Sequence, residues 1–342
     1  MNILVCNAQV PFVRGGAEEH AEGLVAALRE RGHRADLVRL PFDWYPPREV
    51  LKSALAWRLL DLTESNGTRV DRIITMKFPS YAAQHPHKVV WLIHQFRQAY
   101  DWHGTPFGSF TGGEDDRRVR AQLIDLDRRA LGEAQGLFTT SRNNAGRLQR
   151  YVGLTAEQLY APPRLAGRLR SLEPGDYILS VGRLDQAKRV DLVLRALPEV
   201  PLARLVVVGD GPERNNLVKL AHTLGVETRV TLCDRVDDET VIDLYARARA
   251  VFYGPIDEDY GLVTVEAYLS ERPVITTNDA GGVLEFVAHE QTGLVCNPVP
   301  AEIAGAIHRI YADASRAREW GRAGQRLVAG ITWDRAVERL TA

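Results

Sequence analysis

One pattern runs through this chain twice: a short unbroken apolar run, a turn, then a helix with one apolar face. Asn2 to Cys6 reads as a buried parallel strand. Gly15-Gly16 follow in a short loop. Ala17 to Arg31 then shows helical spacing through Ala21, Leu24, Val25 and Leu28, and Gly32 stops it. His33 to Leu40 reads as a second strand. Arg72 to Thr75, Val89 to Ile93 and Gly136 to Thr140 are further strand candidates, and Arg117 to Ala134 reads as a helix with a charged outer face. Such alternation selects the α/β class.

The stretch from Ala161-Pro162-Pro163 to Glu173-Pro174-Gly175 is rich in Pro, Gly and Arg and lacks periodicity, so the interdomain linker is expected there. The alternation then restarts. Strands are expected at 177–181, 203–208, 230–233, 250–253 and 273–276. Helices are expected at 190–197, 213–224, 239–248, 262–270, 301–312, 314–327 and 333–340. The expected architecture is two Rossmann-like domains facing a cleft, 1–165 and 166–330, with a final helix in 331–342 packing back on the first domain. Ligands would bind at the carboxyl ends of the strands.

Composition narrows the function classes. The 342 residues carry 43 Lys plus Arg against 44 Asp plus Glu, a net charge of −1, which argues against a general nucleic-acid binder. Residues 1–165 hold 22 basic and 18 acidic side chains (+4), and residues 166–342 hold 21 and 26 (−5). The basic half is compatible with an anionic partner or peripheral contact at the inner membrane face; scatter in the counts explains it equally. Cys6, Cys233 and Cys296 lie in apolar runs without a CxxC spacing, as expected of reduced, buried thiols in a cytoplasmic protein. The start Met1-Asn2-Ile3-Leu4-Val5 lacks the form of a signal peptide, and Val89 to Ile93 is too short to span a bilayer.

Several loops could carry chemistry. In Glu258-Asp-Tyr-Gly-Leu-Val-Thr-Val-Glu266, Gly261 opens a helix between two carboxylates. The N–H groups of Gly261, Leu262 and Val263 would form an anion site beside Glu258, suited to a phosphate bearing a hydroxyl-rich group. A helix that begins with acidic residues for its dipole gives the same spacing. Arg183 and Lys188 follow the strand ending at Val181, a placement suited to a diphosphate or to two solvated charges. Gly209-Asp210-Gly211-Pro212 imitates a dinucleotide fingerprint, but its third glycine position is Arg214 and Pro212 blocks helix entry, which disfavours NAD and FAD. Gly15 and Gly16 would let the backbone approach a ligand or simply turn the chain. His94 follows a strand directly and reads as either a site residue or a structural one. The sequence has no HExxH, GxxxxGK[ST], GxSxG or Cys–His signature, and no metal site is expected.

In this order the motifs resemble the retaining glycosyltransferases of family 4, with the GT-B fold, over nearly the whole chain. The resemblance rests on Gly15-Gly16, His94, Ser141, Gly182-Arg183…Lys188 and Gly209-Asp210-Gly211-Pro212. It continues through Glu258-x7-Glu266, Ala267…Arg272-Pro273-Val274-Ile275, Gly281-Gly282…Glu285 and Thr332-Trp333. The second half matches more specifically than the first. A departure is Tyr160-Ala161-Pro162-Pro163-Arg164, where many members carry an Ile-Pro-Asn-Gly-type turn.

The resemblance implies transfer of a hexose from a nucleotide diphosphate sugar to a saccharide, lipid-linked or small-molecule acceptor, with no cofactor beyond that co-substrate. Arg183 and Lys188 would neutralise the diphosphate. Glu258 would hold the sugar hydroxyls, Asp259 and Tyr260 would lie against the sugar, and Gly261, Leu262 and Val263 would supply N–H groups. Glu266 would bind the ribose; Gly209, Arg235 and Val236 would meet the base. His94 would contact the sugar at the reaction centre, and Gly15 and Gly16 would close on the diphosphate. The first domain would take the acceptor, for which the polar-aromatic stretches 77–81 and 94–103 are either suited or merely packed as a loop. The alternatives on this scaffold are a nucleotide-sugar epimerase and a non-catalytic sugar-nucleotide sensor.

Overall fold

In the computed structural model, residues 1–12, 15–110 and 112–342 are described. The chain divides into two compact units: Met1–Arg164 together with Thr332–Ala342, and Leu165–Ile331.

The first unit runs β1 (Asn2–Gln9), α1 (Gly16–Glu30), β2 (Arg34–Pro41), α2 (Pro47–Leu59), a small hairpin of β3 (Glu64–Ser65) and β4 (Thr68–Arg69), β5 (Arg72–Thr75), β6 (Lys88–Leu92), α3 (Glu114–Gly132), β7 (Gly136–Thr139), α4 (Arg142–Val152) and β8 (Glu157–Gln158). Its sheet has the order β2-β1-β5-β6-β7-β8, every pairing parallel. Parallel neighbours need a crossover, and helices covering both faces bury the strands, hence their continuous apolar runs. Helix α1 carries Glu18 and Glu19 in its first turn and Arg29 in its last, as the helix dipole favours.

The second unit runs β9 (Tyr177–Val181), α5 (Val190–Ala196), β10 (Arg204–Val208), α6 (Arg214–Thr223), β11 (Val230–Cys233), α7 (Asp238–Arg247), β12 (Ala250–Phe252), α8 (Leu262–Leu269), β13 (Val274–Thr277), β14 (Gly293–Cys296), α9 (Pro300–Ala312) and α10 (Ala314–Val328). Its sheet is also parallel, in the order β11-β10-β9-β12-β13-β14. The chain builds outward from β9 to β11 on one side, then returns to lay β12 against the other side of β9. That reversal opens a crevice at the carboxyl ends of β9 and β12, where α/β sheets of this kind bind ligands. Both units are therefore Rossmann-like.

The last helix, α11 (Trp333–Thr341), belongs to the first unit. Thr332 caps it, its side chain accepting from the Arg335 N–H. The Trp333 ring lies so close to α1 that a Cβ on Gly23 would stand 2.7 Å from it. Arg72 donates to the carbonyls of Leu340 and Ala342, both at 2.8 Å.

Several expectations shift. Helix α2 and strand β14 were not expected from the pattern, and α3 begins at Glu114, three residues before the expected start. Cys6 and Cys296 are buried, and burial pushes their thiols up to about 12 and about 11. Cys233 is only half-buried, because it ends the edge strand β11. The aromatic stretches also resolve in part: Phe78, Tyr81, Phe96 and Tyr100 lie in the first unit's core, so packing accounts for them. Among the described residues no helix is long and apolar enough to cross a membrane.

Candidate active site

The second unit gathers charged groups at the carboxyl ends of β9 and β12. After β9, Gly182 takes φ +146° and the chain makes a loop that Asp185 caps, its carboxylate accepting the Lys188 N–H at 3.1 Å. The loop aims the Lys188 ammonium at the segment beyond β12. There it donates to Glu258 Oε2 and lies 3.3 Å from the Tyr253 hydroxyl. Tyr253 in turn donates to the same Glu258 oxygen at 2.9 Å. The side chains of Lys188 and Glu258 are 23% and 16% exposed, so the pair is shielded yet still open to solvent.

Burial works against the Lys188 charge, but the Glu258 carboxylate and the neighbouring Tyr253 outweigh it and hold the ammonium's pKa well above the usual lysine range. Burial, reinforced by the same carboxylate, raises the Tyr253 phenol above its ordinary range. Lys188 is thus a fixed cation at any working pH. Arg183 stands on the same loop, half exposed, 3.8 Å from Asp185.

Glu258 is placed by backbone, not by its helix. Its N–H donates to Ala280 O at 3.1 Å, and its carbonyl accepts the Gly282 N–H at 2.8 Å. Gly281, at φ +63°, makes this approach possible: a Cβ there would stand 2.6 Å from Glu258 O. Past Asp259, Tyr260 packs its ring edge-on against Phe286, and Gly261 enters α8 at φ +84°. The early N–H groups of a helix lack intrahelical acceptors, so those of Leu262 and Val263 are available to an anion. One turn on, Glu266 accepts the Tyr245 hydroxyl at 2.8 Å.

Gly209 packs directly on the β9 loop, where a Cβ would fall 1.9 Å from Gly182 O. Arg235 is exposed and Val236 half-buried, beyond the end of β11. Lys188, Glu258 and, through its loop, Arg183 are therefore brought together with the start of α8. Glu266, Arg235 and Val236 stand on neighbouring elements of the same unit.

Gly15, Gly16 and His94 belong to the first unit. Gly15 precedes α1, and its N–H donates to Glu18 Oε2 at 2.9 Å. Glu18 also pairs with Lys77 at 2.6 Å, both side chains more than nine-tenths buried. His94 lies just past β6 with Nδ1 2.8 Å from Gln95 O, in a small recess that Arg97, Asp101, Asn144 and Arg147 help to line.

One family model lies wholly within the second unit. Residues 166–327 match the family described as "Glycosyl transferases group 1". The second unit is a group 1 glycosyltransferase domain. An uncharacterised glycosyltransferase of Methanocaldococcus jannaschii is 24% identical over 89% of this chain and 87% of its own length. A GDP-mannose-dependent α-(1-6)-phosphatidylinositol monomannoside mannosyltransferase of Mycobacterium tuberculosis is 35% identical over 48% of this chain, which spans 46% of that relative's length. Among solved structures, HepE from Anabaena in complex with UDP-glucose matches all of this chain and 98% of its own, with a TM-score of 0.73 at 18% identity. That likeness is one of fold, and the fold is GT-B. The glycosyltransferase domain contains Arg183, Lys188, Gly209, Glu258 and Glu266.

Sequence reasoning passed over Tyr253, whose position directly after β12 and five residues before Glu258 was the available signal. It read Lys77 only as part of the 77–81 stretch and missed its pairing with Glu18, because a buried ion pair has no sequence signature.

Proposed function

We propose that this protein is a retaining, metal-independent glycosyltransferase that moves a hexose from a nucleotide diphosphate sugar to a saccharide, lipid-linked or small-molecule acceptor. The observation that carries the reading is the Lys188–Glu258–Tyr253 cluster at the sheet's switch point, beside the start of α8 and the Arg183 loop.

Breaking the sugar–phosphate bond leaves a nucleoside diphosphate and an electron-poor anomeric carbon. The developing negative charge falls to Arg183, Lys188 and the N–H groups of Leu262 and Val263, which are fixed before the reaction begins. An ammonium has three donors, so Lys188 can keep Glu258 and still hold a phosphate oxygen. Glu258 is left to accept from the sugar hydroxyls, Glu266 from the ribose, and Gly209 with Arg235 and Val236 borders the base.

Retention follows from attack on the same face the diphosphate leaves, with the departing phosphate oxygen taking the acceptor's proton. Glu258 is engaged by an ammonium and a phenol, which blunts it as a nucleophile and favours this route over double displacement. A glycosyl-enzyme trapped on Glu258 would overturn it. Lys188 and Arg183 supply the countercharge that a metal supplies elsewhere, so a chelator should leave transfer unchanged. We place the protein in the cytoplasm, with peripheral contact at anionic membrane for a lipid-linked acceptor; the +4 first half is compatible with that contact, and sedimentation with anionic vesicles tests it.

The test is a thermal-shift screen against UDP, GDP, ADP and dTDP and their sugars. A matching ligand at 100 times its Kd adds about 2.7 kcal/mol of stability. Failure of every nucleotide to stabilise the protein would refute the reading.

A further inference from the structure

Arg189 follows Lys188 and does something unusual for a non-glycine residue: its backbone sits at φ +51°, in the left-handed region. Its side chain is only 13% exposed, and all three of its nitrogens are bonded. Nε donates to Gly254 O at 2.8 Å, and Nη2 reaches Pro255 O at 2.9 Å and Thr277 Oγ1 at 2.8 Å. Both Nη atoms bind the Asp279 carboxylate, at 2.9 and 2.6 Å. Burial opposes the Asp279 charge, but Arg189 and Thr277 outweigh it and hold the carboxyl below its ordinary range.

These contacts join three loops. Residues 187–189 follow β9, residues 253–258 follow β12, and residues 277–282 follow β13. Ala187 O accepts the Ile256 N–H at 2.8 Å, so the first loop is tied to the second on both sides of Lys188. The third loop then grips Glu258: Asp279 O accepts the Asp257 N–H at 2.8 Å, and Ala280 O accepts the Glu258 N–H. Lys188 and Glu258 come from loops 70 positions apart in sequence. The guanidinium of Arg189 binds both the strand-β12 loop before Glu258 and the strand-β13 loop that clamps it.

We infer that Arg189 is a positioning residue: paired with Asp279, it sets the separation of Lys188 and Glu258 and so the geometry in which a diphosphate and its sugar are held together. The left-handed backbone is the conformational strain that this placement requires, and the five side-chain contacts hold it there. Arg189 acts through its neighbours and does not itself touch the donor. The kinetic consequence rests on the proposed sugar transfer; the placement does not.

The test uses Arg189→Gly, which accepts φ +51° without strain and deletes the guanidinium, and Asp279→Asn, which keeps the shape and removes the charge. Hydrogen exchange on the full chain reads placement directly. Exchange in the 254–260 peptide should accelerate at least tenfold in Arg189→Gly, and less in Asp279→Asn, while strand Arg204–Val208 is unchanged. With the nucleotide sugar that stabilises the wild type, kcat should fall roughly 30-fold or more in Arg189→Gly, with Kd for the nucleoside diphosphate moving less than about threefold. Arg189→Lys, a point charge without the planar fork, should not restore kcat. Adding Asp279→Asn to Arg189→Gly should cause little further loss, since the two act as a unit. Unchanged exchange in 254–260 would overturn the placement. Accelerated exchange with wild-type kcat would overturn the kinetic role, and a matching loss of diphosphate affinity would make Arg189 a direct ligand instead. A wild-type protein that transfers no sugar would refute the proposed function while exchange still decides the placement.

Discussion

Lys188 and Tyr253 donate to one and the same oxygen of Glu258, the ammonium from the loop after β9 and the phenol from the end of β12. One carboxylate oxygen is thereby fixed by two donors. A carboxylate held in this way is restricted in orientation, as the proposed role of Glu258 toward the sugar hydroxyls requires.

Tyr253→Phe removes one of those donors without touching the charge. A hydrogen bond to a charged carboxylate contributes about 1.5–3 kcal/mol. Turnover should fall roughly 10–100-fold, with a melting temperature close to wild type, as steady-state kinetics and calorimetry would show. A loss above a thousandfold would mean that the phenol does chemistry of its own.

Gly281→Ala should be far more damaging than its size suggests. The new Cβ would meet Glu258 O at 2.6 Å and Glu258 N at 2.7 Å, at a backbone angle of +63°. The clamp on Glu258 must open, so transfer should be lost while the core strands keep their hydrogen-exchange protection. Gly305→Ala, where nothing lies within 4 Å, is the control and should be neutral.

Lys77 and Glu18 form a buried pair beneath the Gly15 loop. Removing one partner of such a pair costs about 3–5 kcal/mol, because a charge is left unpaired. Lys77→Met should lower the urea midpoint strongly, and adding Glu18→Gln should restore part of it. A double variant no more stable than the single one would deny the pairing.

Two buried groups give opposite pH slopes. Burial holds His20 neutral, with its pKa lowered to about 3, so an unfolded chain binds a proton below about pH 6.5 that the folded one refuses. Stability contributed at this position is present above that pH and lost as pH falls. Burial raises Asp127 to about 7, against the hydrogen bond from Tyr100. Its contribution is full below about pH 4 and lost as pH rises through 7. Relative to Asp127→Asn, the wild type should lose stability from pH 5 to 8; relative to His20→Leu, it should lose stability from pH 6.5 to 4. Urea midpoints across this range read both slopes, and parallel curves would contradict the assignments.

The sheet architecture was legible because strands such as Tyr177–Val181 and Ala250–Phe252 are apolar runs bounded by turns, and burial on both faces enforces that pattern. Helix α2 was not, since Pro47 to Leu59 carries a weak apolar face with Leu55 and Leu59 exposed. Strand β14 is four residues long and opens on Gly293, whose Cβ would collide with Val274 O at 2.1 Å; such close strand contact needs a glycine that sequence reads as a turn. In the candidate site, spacing alone left Arg183, Lys188, Glu258 and Glu266 open between site residues and surface charges, and the resemblance to a glycosyltransferase family singled them out. What orients them was not legible. The Gly281–Gly282 clamp is backbone chemistry, and the Arg189 contacts join loops distant in sequence, so neither leaves a local pattern.

In the proposed function, Lys188 and Glu258 hold the two halves of one donor. The most direct test is sugar transfer by the wild type, Lys188→Ala and Glu258→Ala with the stabilising nucleotide sugar, alongside circular dichroism. Both variants should keep the folded spectrum and lose turnover by at least roughly 10²–10³-fold. Near wild-type turnover in either folded variant would contradict the account.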